Sequence, residues 1–352
     1  MNHGLEEAIG AAMAAACAFH AEPMDVKMSH APARLYDPPN SVKIAVRPAS
    51  LHERMSYPRV VFEEDSIGGA TAADVVIDAQ NDGIDRAPPT PIDGGSPDLF
   101  RVGGVDAAMR TYQRGIMRLS LALLRAMAIA LGLPGDHFDG YWSLSNSGVT
   151  VLRYLPIASE AEKPLTDGYF GQIEAVADIE GAGKLLGKPE LAFDKIGDLQ
   201  ANMRVYPHAD GDSWFTLLSH DNVDGLQVLL STADDEWIDV EMVAPQQIVL
   251  QVGQILQRFT NDEYRATPHR VLRPEAPCPA RTTLSFFFRP SIDMPLEVPQ
   301  VLRRPNDAGG VYETITVREH MALGRVAADG SALKLTSNVL RDGRWVGVRT
   351  RS

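Results

Sequence analysis

From about Val149 to Pro290 the chain breaks into short β-prone runs separated by turns. The clearest are Val149 to Tyr154, Trp214 to Leu218, Gly225 to Leu230, Ile248 to Val252 and Thr282 to Phe288. Many short strands at close spacing predict a sandwich or barrel. Side chains alternate between faces along a strand, so spacing within each run says which residues look the same way.

Ahead of that region the texture differs. Leu5, Ile9, Ala12, Ala16 and Phe19 recur at helical spacing. Glu6 and Glu7 precede the alanine-rich run with no Lys or Arg, which favours an amphipathic helix over a signal peptide. Residues 36–100 are rich in Pro, Gly and Asp and read as coil with a few strands, such as Val60 to Phe62 and Val75 to Ile77. Asp106 to Leu131 is the clearest helix. Asp106 is placed to cap it, Met109, Tyr112, Ile116, Leu119, Leu123 and Met127 line one face, and Gly132 and Pro134 stop it. The division expected is a helical and irregular region at 1–148, a β core at 149–300 with an insertion at about 157–202, and a C-terminal extension at 301–352.

The formal net charge of −13 makes phosphate backbones and anionic lipid poor partners. No apolar run approaches the length that spans a bilayer. Cys17 and Cys278 have no metal-type spacing and cannot form a disulfide scaffold, so a reducing cytoplasm is expected. A monomer is expected.

His208-Ala209-Asp210 is the motif with chemical content. On a strand, His-x-Asp puts both side chains on one face with Cα atoms roughly 6.5 Å apart, close enough to share one metal ion. A second copy, His137-Phe138-Asp139, succeeds a helix end and reads as solvated polar residues in a loop. The 208–210 copy gains weight from the segments C-terminal to it. Thr267-Pro268-His269-Arg270-Val271 leads through a turn built on Pro274, Pro277 and Pro279 to Arg281-Thr282-Thr283-Leu284. Such a turn is expected to lay the two runs side by side, with Arg281 and Thr283 facing one way. Two neutral imidazoles and one carboxylate suit iron(II) and leave positions open for reactants. An arginine fork with a nearby hydroxyl can hold a carboxylate, which suits a dicarboxylic co-substrate that chelates the metal at its other end.

From Val149 to Pro290 the chain resembles the isopenicillin N synthase-like group of iron(II) and 2-oxoglutarate-dependent dioxygenases. The resemblance rests on His208-Ala209-Asp210, Leu217-Leu218, Gly225-Leu226-Gln227-Val228, Trp237-Ile238-Asp239-Val240, Thr267-Pro268-His269-Arg270-Val271 and Arg281-Thr282-Thr283. It implies an α+β fold with a mainly β core, a double-stranded β-helix (jelly roll) flanked by helices. It implies Fe(2+) held by His208, Asp210 and His269, 2-oxoglutarate held by Arg281 and Thr283, and O2 as the oxidant. Asn2-His3-Gly4 looks like the family's lead into its first helix, which implies that the family's earlier strands are missing here.

Several positions depart from the family. Thr283 stands for the usual serine. Leu155 falls where plant members carry a tyrosine that helps hold 2-oxoglutarate. His220 replaces a common glutamine and reads as a polar turn residue, and Gln251 and Gln254 replace the Asn and Asp of a strand-end motif. The 157–202 insertion reads as a lid or substrate loop. Arg153 is a candidate contact for an anionic substrate, and Phe286 a candidate pocket wall with core packing as its competing role. The expected activity is oxidation, most commonly hydroxylation, of a small organic molecule such as a secondary metabolite. Two rivals stand beside it: a zinc hydrolase using the same ligands, and a non-catalytic or metal-binding protein on the same fold.

Overall fold

Two antiparallel sheets and two helices make the core. The computed structural model describes residues 3–23, 26, 52–57, 104–141, 147–158, 203–231, 236–241, 247–272, 275–291, 293–303, 312–323, 338–341 and 344–347. The strands expected at 60–62 and 75–77 and nearly all of the 157–202 insertion lie outside the described residues. Among the described residues no helix is long and apolar enough to cross a membrane.

Helix α1 (Glu6–Ala21) forms where expected, with Glu6 and Glu7 in the first turn, where carboxylates favour the helix dipole. Ile9, Ala12, Ala16 and Phe19 are buried along one stripe. Helix α2 (Val105–Ala130) begins after Gly104, whose φ of 83° suits glycine. Asp106 therefore lies inside the first turn, and no side chain caps the N-terminus. The other end closes as expected. The Leu133 N–H reaches the Ala128 carbonyl at 2.9 Å and the Gly132 N–H reaches that of Ile129 at 3.0 Å, with Gly132 at φ 73°. The buried face agrees with expectation through Met109, Tyr112 and Ile116, then shifts to Met117, Leu121, Leu124 and Ala128. Leu119, Leu123 and Met127 are only partly buried. Twenty-six residues at 3.6 per turn outrun a stripe extrapolated from the first turns.

The larger sheet is built from β1 (His52–Tyr57), β2 (Gly148–Tyr154), β4 (Phe215–His220), β7 (Val249–Val252) and β9 (Arg281–Phe288). Their order across the sheet is β1-β2-β9-β4-β7. Strand β1 was not expected, since His-Glu-Arg-Met-Ser-Tyr has no hydrophobic alternation, yet it pairs with nearly the whole of β2. The smaller sheet is built from β3 (Met203–His208), β5 (Leu226–Ser231), β6 (Glu236–Asp239) and β8 (His269–Leu272), in the order β3-β8-β5-β6.

Register assigns the two faces of the larger sheet. Val149, Val151, Leu217, Leu284, Phe286 and Phe288 share the outer face and join the residues of α1 and α2 in one core cluster. The alternate residues face the smaller sheet, where Leu218, Leu226 and Val271 form a second cluster joined by Val205 and Val249. That second cluster is the inter-sheet core.

One expectation about topology fails. The runs holding His269 and Arg281 do not lie side by side: β8 belongs to the smaller sheet and β9 to the larger. The Pro-rich connection between them cannot offer a full ladder of N–H donors, so it carries the chain across from one sheet to the other. Cys278 within it is pinned by a two-way backbone bridge to Ile157. Helix α3 (Gln254–Phe259) was also not expected; it begins two residues after β7 ends. Residues 312–323, within the expected C-terminal extension, pack on the core. Strand Ile315–Thr316 pairs with Pro295–Leu296, and Nε2 of His320 lies 2.9 Å from the Gly211 carbonyl oxygen.

Candidate metal and carboxylate site

His208 and His269 are directly paired across β3 and β8. Their ring centroids are 4.3 Å apart. Strand β3 ends at His208, so Asp210 lies just beyond it rather than on the strand as expected. Two contacts hold Asp210 in place. Its carbonyl accepts the Gln254 N–H at 2.8 Å, and its Oδ2 accepts the Thr216 hydroxyl at 2.5 Å. Oδ1 then faces both imidazoles, with each Nε2 at 3.9 Å.

These separations exceed hydrogen-bond length. They fall within the roughly 4.2 Å that two ligands of about 2.1 Å bond length can span around one ion. One ligand atom from each of the three residues lies within 4.8 Å of the others. His269 and Asp210 are buried, while the His208 side chain is 44% exposed and leaves the site an open side. Nδ1 of His269 faces the Thr267 carbonyl at 3.1 Å, which leaves Nε2 as the lone-pair nitrogen. Burial, reinforced by His208, pushes the His269 pKa down to about 4, so the ring is neutral at pH 7.

The two residues expected to bind a carboxylate lie on the inner face of the larger sheet. Arg281 and Thr283 alternate with the outward-facing Thr282 and Leu284, as expected. Both are almost fully buried. The Arg281 Nε–H donates to the Val223 carbonyl at 2.9 Å. Its Nη2, and the Thr283 hydroxyl, are buried with no hydrogen-bond partner among the described residues. Leaving such donors unpaired is costly, and doubly so on a buried cation, so the pair forms a ready cradle for an anion. Burial is also the main influence lowering the Arg281 pKa; Tyr154, Asp221 and Asp224 oppose it.

Two expected substrate contacts face elsewhere. Arg153 pairs in register with Thr282, on the outer face, and donates to the Thr282 hydroxyl at 2.9 Å and to the Cys17 sulfur on α1 at 3.6 Å. Phe286 is fully buried in the core against the helices, one residue out of phase with the inner face. Period two along β2 and β9 puts both on the far side of the sheet from Arg281.

Other residues at the site were missed or misread. Tyr154, beside the position where a tyrosine was sought, pairs in register with Arg281, whose guanidinium carbon lies 5.6 Å from its ring centroid. Arg204 lies over the same ring at 5.4 Å. His220 is not a turn residue: it closes β4, is buried, and faces Thr283. Gln251 pairs with Thr216 on the inner face, and its amide nitrogen has no partner among the described residues. Thr216 alternates inward in the run Phe215-Thr216-Leu217-Leu218, a signal the sequence did carry. His137, expected to be solvated, packs its ring against Phe138, Tyr141 and Phe259. Asp139 pairs with Arg125, so this second His-x-Asp copy is structural.

The family model for the 2OG-Fe(II) oxygenase superfamily matches residues 182–290, a span that includes all five expected metal and carboxylate residues. Over that span the chain is similar to the superfamily. Members of this superfamily use iron(II), 2-oxoglutarate and O2. Among curated proteins, the chain is 27% identical over 221 residues to proline hydroxylase buaE of Petromyces alliaceus, covering 62% of this chain and 58% of that protein. It is 26% identical to gibberellin 20 oxidase 4 of Arabidopsis thaliana over 54% of this chain and 39% of the other. The chain thus spans about half the length of the curated relatives it matches. Among solved structures, the rice dioxygenase for auxin oxidation superposes with a TM-score of 0.57 at 20% identity, covering 92% of this chain and 83% of the other. A 2OG-Fe(II) oxygenase family protein from Caulobacter crescentus also gives 0.57 at 20%, covering 90% and 84%. These likenesses show a shared fold.

Proposed function

We propose that this chain is a 2-oxoglutarate-dependent oxygenase that oxidises, most commonly by hydroxylation, a small organic substrate. In this reading the two sheets form a double-stranded β-helix, with residues 149–300 as the catalytic unit. His208, Asp210 and His269 hold iron(II), and Arg281 with Thr283 holds the distal carboxylate of 2-oxoglutarate. The observation that carries it is the convergence of two imidazoles and one carboxylate within 4.8 Å, with an orphaned guanidinium nitrogen and hydroxyl on the facing sheet. The donor set fits: two neutral imidazoles and a carboxylate suit iron(II), and the hydrogen-bond donors of Arg and Thr suit a carboxylate rather than a second metal.

What iron(II) and 2-oxoglutarate supply there, when bound, is oxidative chemistry on dioxygen. The chain supplies placement. Asp210 offsets metal charge through Oδ1 while Thr216 fixes its other oxygen. His269 is kept in one tautomer by the Thr267 carbonyl. Arg281 and Thr283 orient the co-substrate by charge-assisted hydrogen bonds on the inner face of the larger sheet. The exposed edge of His208 leaves the approach for substrate on that side. A small-molecule substrate also fits the relatives, whose names include a proline hydroxylase, a gibberellin oxidase and a dioxygenase for auxin oxidation.

The test is anaerobic. Iron(II) and 2-oxoglutarate are added to the protein and the weak visible charge-transfer band of the chelate is sought. Wild type is expected to give the band, His208→Ala and Arg281→Ala to weaken it. Absence of a band at every iron load rejects the assignment.

A further inference from the structure

The strand next to β9 carries a further orphaned polar atom on the inner face, opposite those of Arg281 and Thr283. His220, at the end of β4, is directly opposite Thr283 in the register of β4 and β9. Side chains so paired have Cβ atoms about 4.5–5.5 Å apart, so imidazole and hydroxyl reach the same ligand. Nε2 of His220 is buried and has no hydrogen-bond partner among the described residues, the same condition as Arg281 Nη2 and Thr283 Oγ1. Three unpartnered polar atoms thus share one face of two adjacent strands.

The tautomer of His220 is set from the other side of the ring. The Asn222 backbone N–H donates to Nδ1 at 3.2 Å, across a turn that Asn222 enters with φ 61°. Nδ1 must therefore present a lone pair, and the proton of the neutral ring resides on Nε2. Burial, and then the neighbouring positive charge of Arg281, push the His220 pKa down to about 4, so the ring is neutral at pH 7. A neutral Nε2–H is a hydrogen-bond donor that leaves the charge of the cradle to Arg281.

We infer that His220 is a positioning and specificity-determining residue, a third arm of the carboxylate cradle whose Nε2–H donates to the distal carboxylate of 2-oxoglutarate. This rests on the proposed function, since it names a contact to that reading's co-substrate. The arm is specific for the carboxylate end. A 2-oxoacid of equal length with a methyl in place of the distal carboxylate, 2-oxopentanoate, gains nothing from it.

The experiment compares dissociation constants for 2-oxoglutarate and 2-oxopentanoate, read from the anaerobic iron(II) chelate band, in wild type, His220→Gln and His220→Leu. The leucine variant is expected to bind 2-oxoglutarate about tenfold or more weakly, the scale of a lost hydrogen bond to a charged group, while 2-oxopentanoate binding stays within about twofold. The glutamine variant, which keeps an N–H donor, is expected to restore most of the loss. A merely structural role would weaken both ligands together, and that result overturns the inference. Equal 2-oxoglutarate binding in the leucine variant and wild type also overturns it. If His220→Leu does not fold, His220→Glu serves: its carboxylate against the ligand's must weaken 2-oxoglutarate selectively, and unchanged binding counts against the idea. A wild type with no 2-oxoglutarate band at all rejects the proposed function itself, and this inference with it.

Discussion

Thr216→Val probes the candidate metal site without touching any of its three expected ligands. Thr216 is 2% exposed, and its hydroxyl donates to Asp210 Oδ2 at 2.5 Å while Oδ1 faces both histidines. Valine has nearly the same shape, so packing against β7 and β9 is retained. What is lost, together with a longer contact to Ser213 Oγ at 3.5 Å, is the hydrogen bond to a buried carboxylate, worth about 1.5–3 kcal/mol. The valine methyl also leaves that oxygen unpaired, so the carboxylate can swing away from the pose that aims Oδ1 at the imidazoles. At about 1.4 kcal/mol per factor of ten, iron(II) affinity should fall roughly 10- to 100-fold. Thr216→Ser, which keeps the hydroxyl, should fall far less. Affinity is measured anaerobically by competition against a calibrated chelator, with circular dichroism to show that the fold is unchanged. Wild-type affinity in a folded valine variant would refute the reasoning that Asp210 is held by Thr216.

Three further outcomes follow from the packing. Arg153→Ala should leave the 2-oxoglutarate chelate band unchanged and lower only stability, because Arg153 ties β2 to Thr282 and α1 on the outer face; a lost band in the folded variant contradicts that placement. Phe286→Ala should cost about 3–5 kcal/mol in urea unfolding, as for a fully buried aromatic. Gly253→Ala places a methyl on the Ser213 carbonyl oxygen and 2.7 Å from its Oγ, so calorimetry should show a loss of about 1–3 kcal/mol, with weaker iron(II) binding because the adjoining Gln254 N–H holds Asp210. The pH dependence of stability has a definite sign. Burial pushes the His320 pKa down to about 4, below the ordinary value of 6.5, so the unfolded chain binds its proton first. Stability is whole above about pH 6.5 and falls as pH drops toward 4, by up to about 1.4 kcal/mol per pH unit from this residue. His320→Gln should flatten that slope in urea titrations of the metal-free protein.

Much of the β core was legible because its strands are short, apolar and bounded by turn residues. Val149 to Tyr154 and Thr282 to Phe288 were each placed within a residue of their observed limits. The convergence of His208, Asp210 and His269 was legible for a different reason: His-x-Asp and the later His are chemically scarce residues in an ordered run. What the sequence hid was pairing. That Tyr154 lies against Arg281, that His220 faces Thr283, and that β8 and β9 belong to opposite sheets are facts of register between distant segments, which local periodicity does not encode. Phe286 and Arg153 were misplaced for the same reason. Each alternates correctly along its own strand, but which of the two faces looks toward the metal site is decided by the helices that cover the other.

Strand β9 is written in two interleaved texts, one for adhesion to the helices and one for the inner face that carries Arg281 and Thr283. Substitutions in one text can accumulate without editing the other, so the inner face can change while the helical layer stays in place. Insertion or deletion of a single residue inside the strand would transpose the two, burying Arg281 under the helices and turning phenylalanines toward the ligand trio. The strand's length is therefore under tighter constraint than most of its letters.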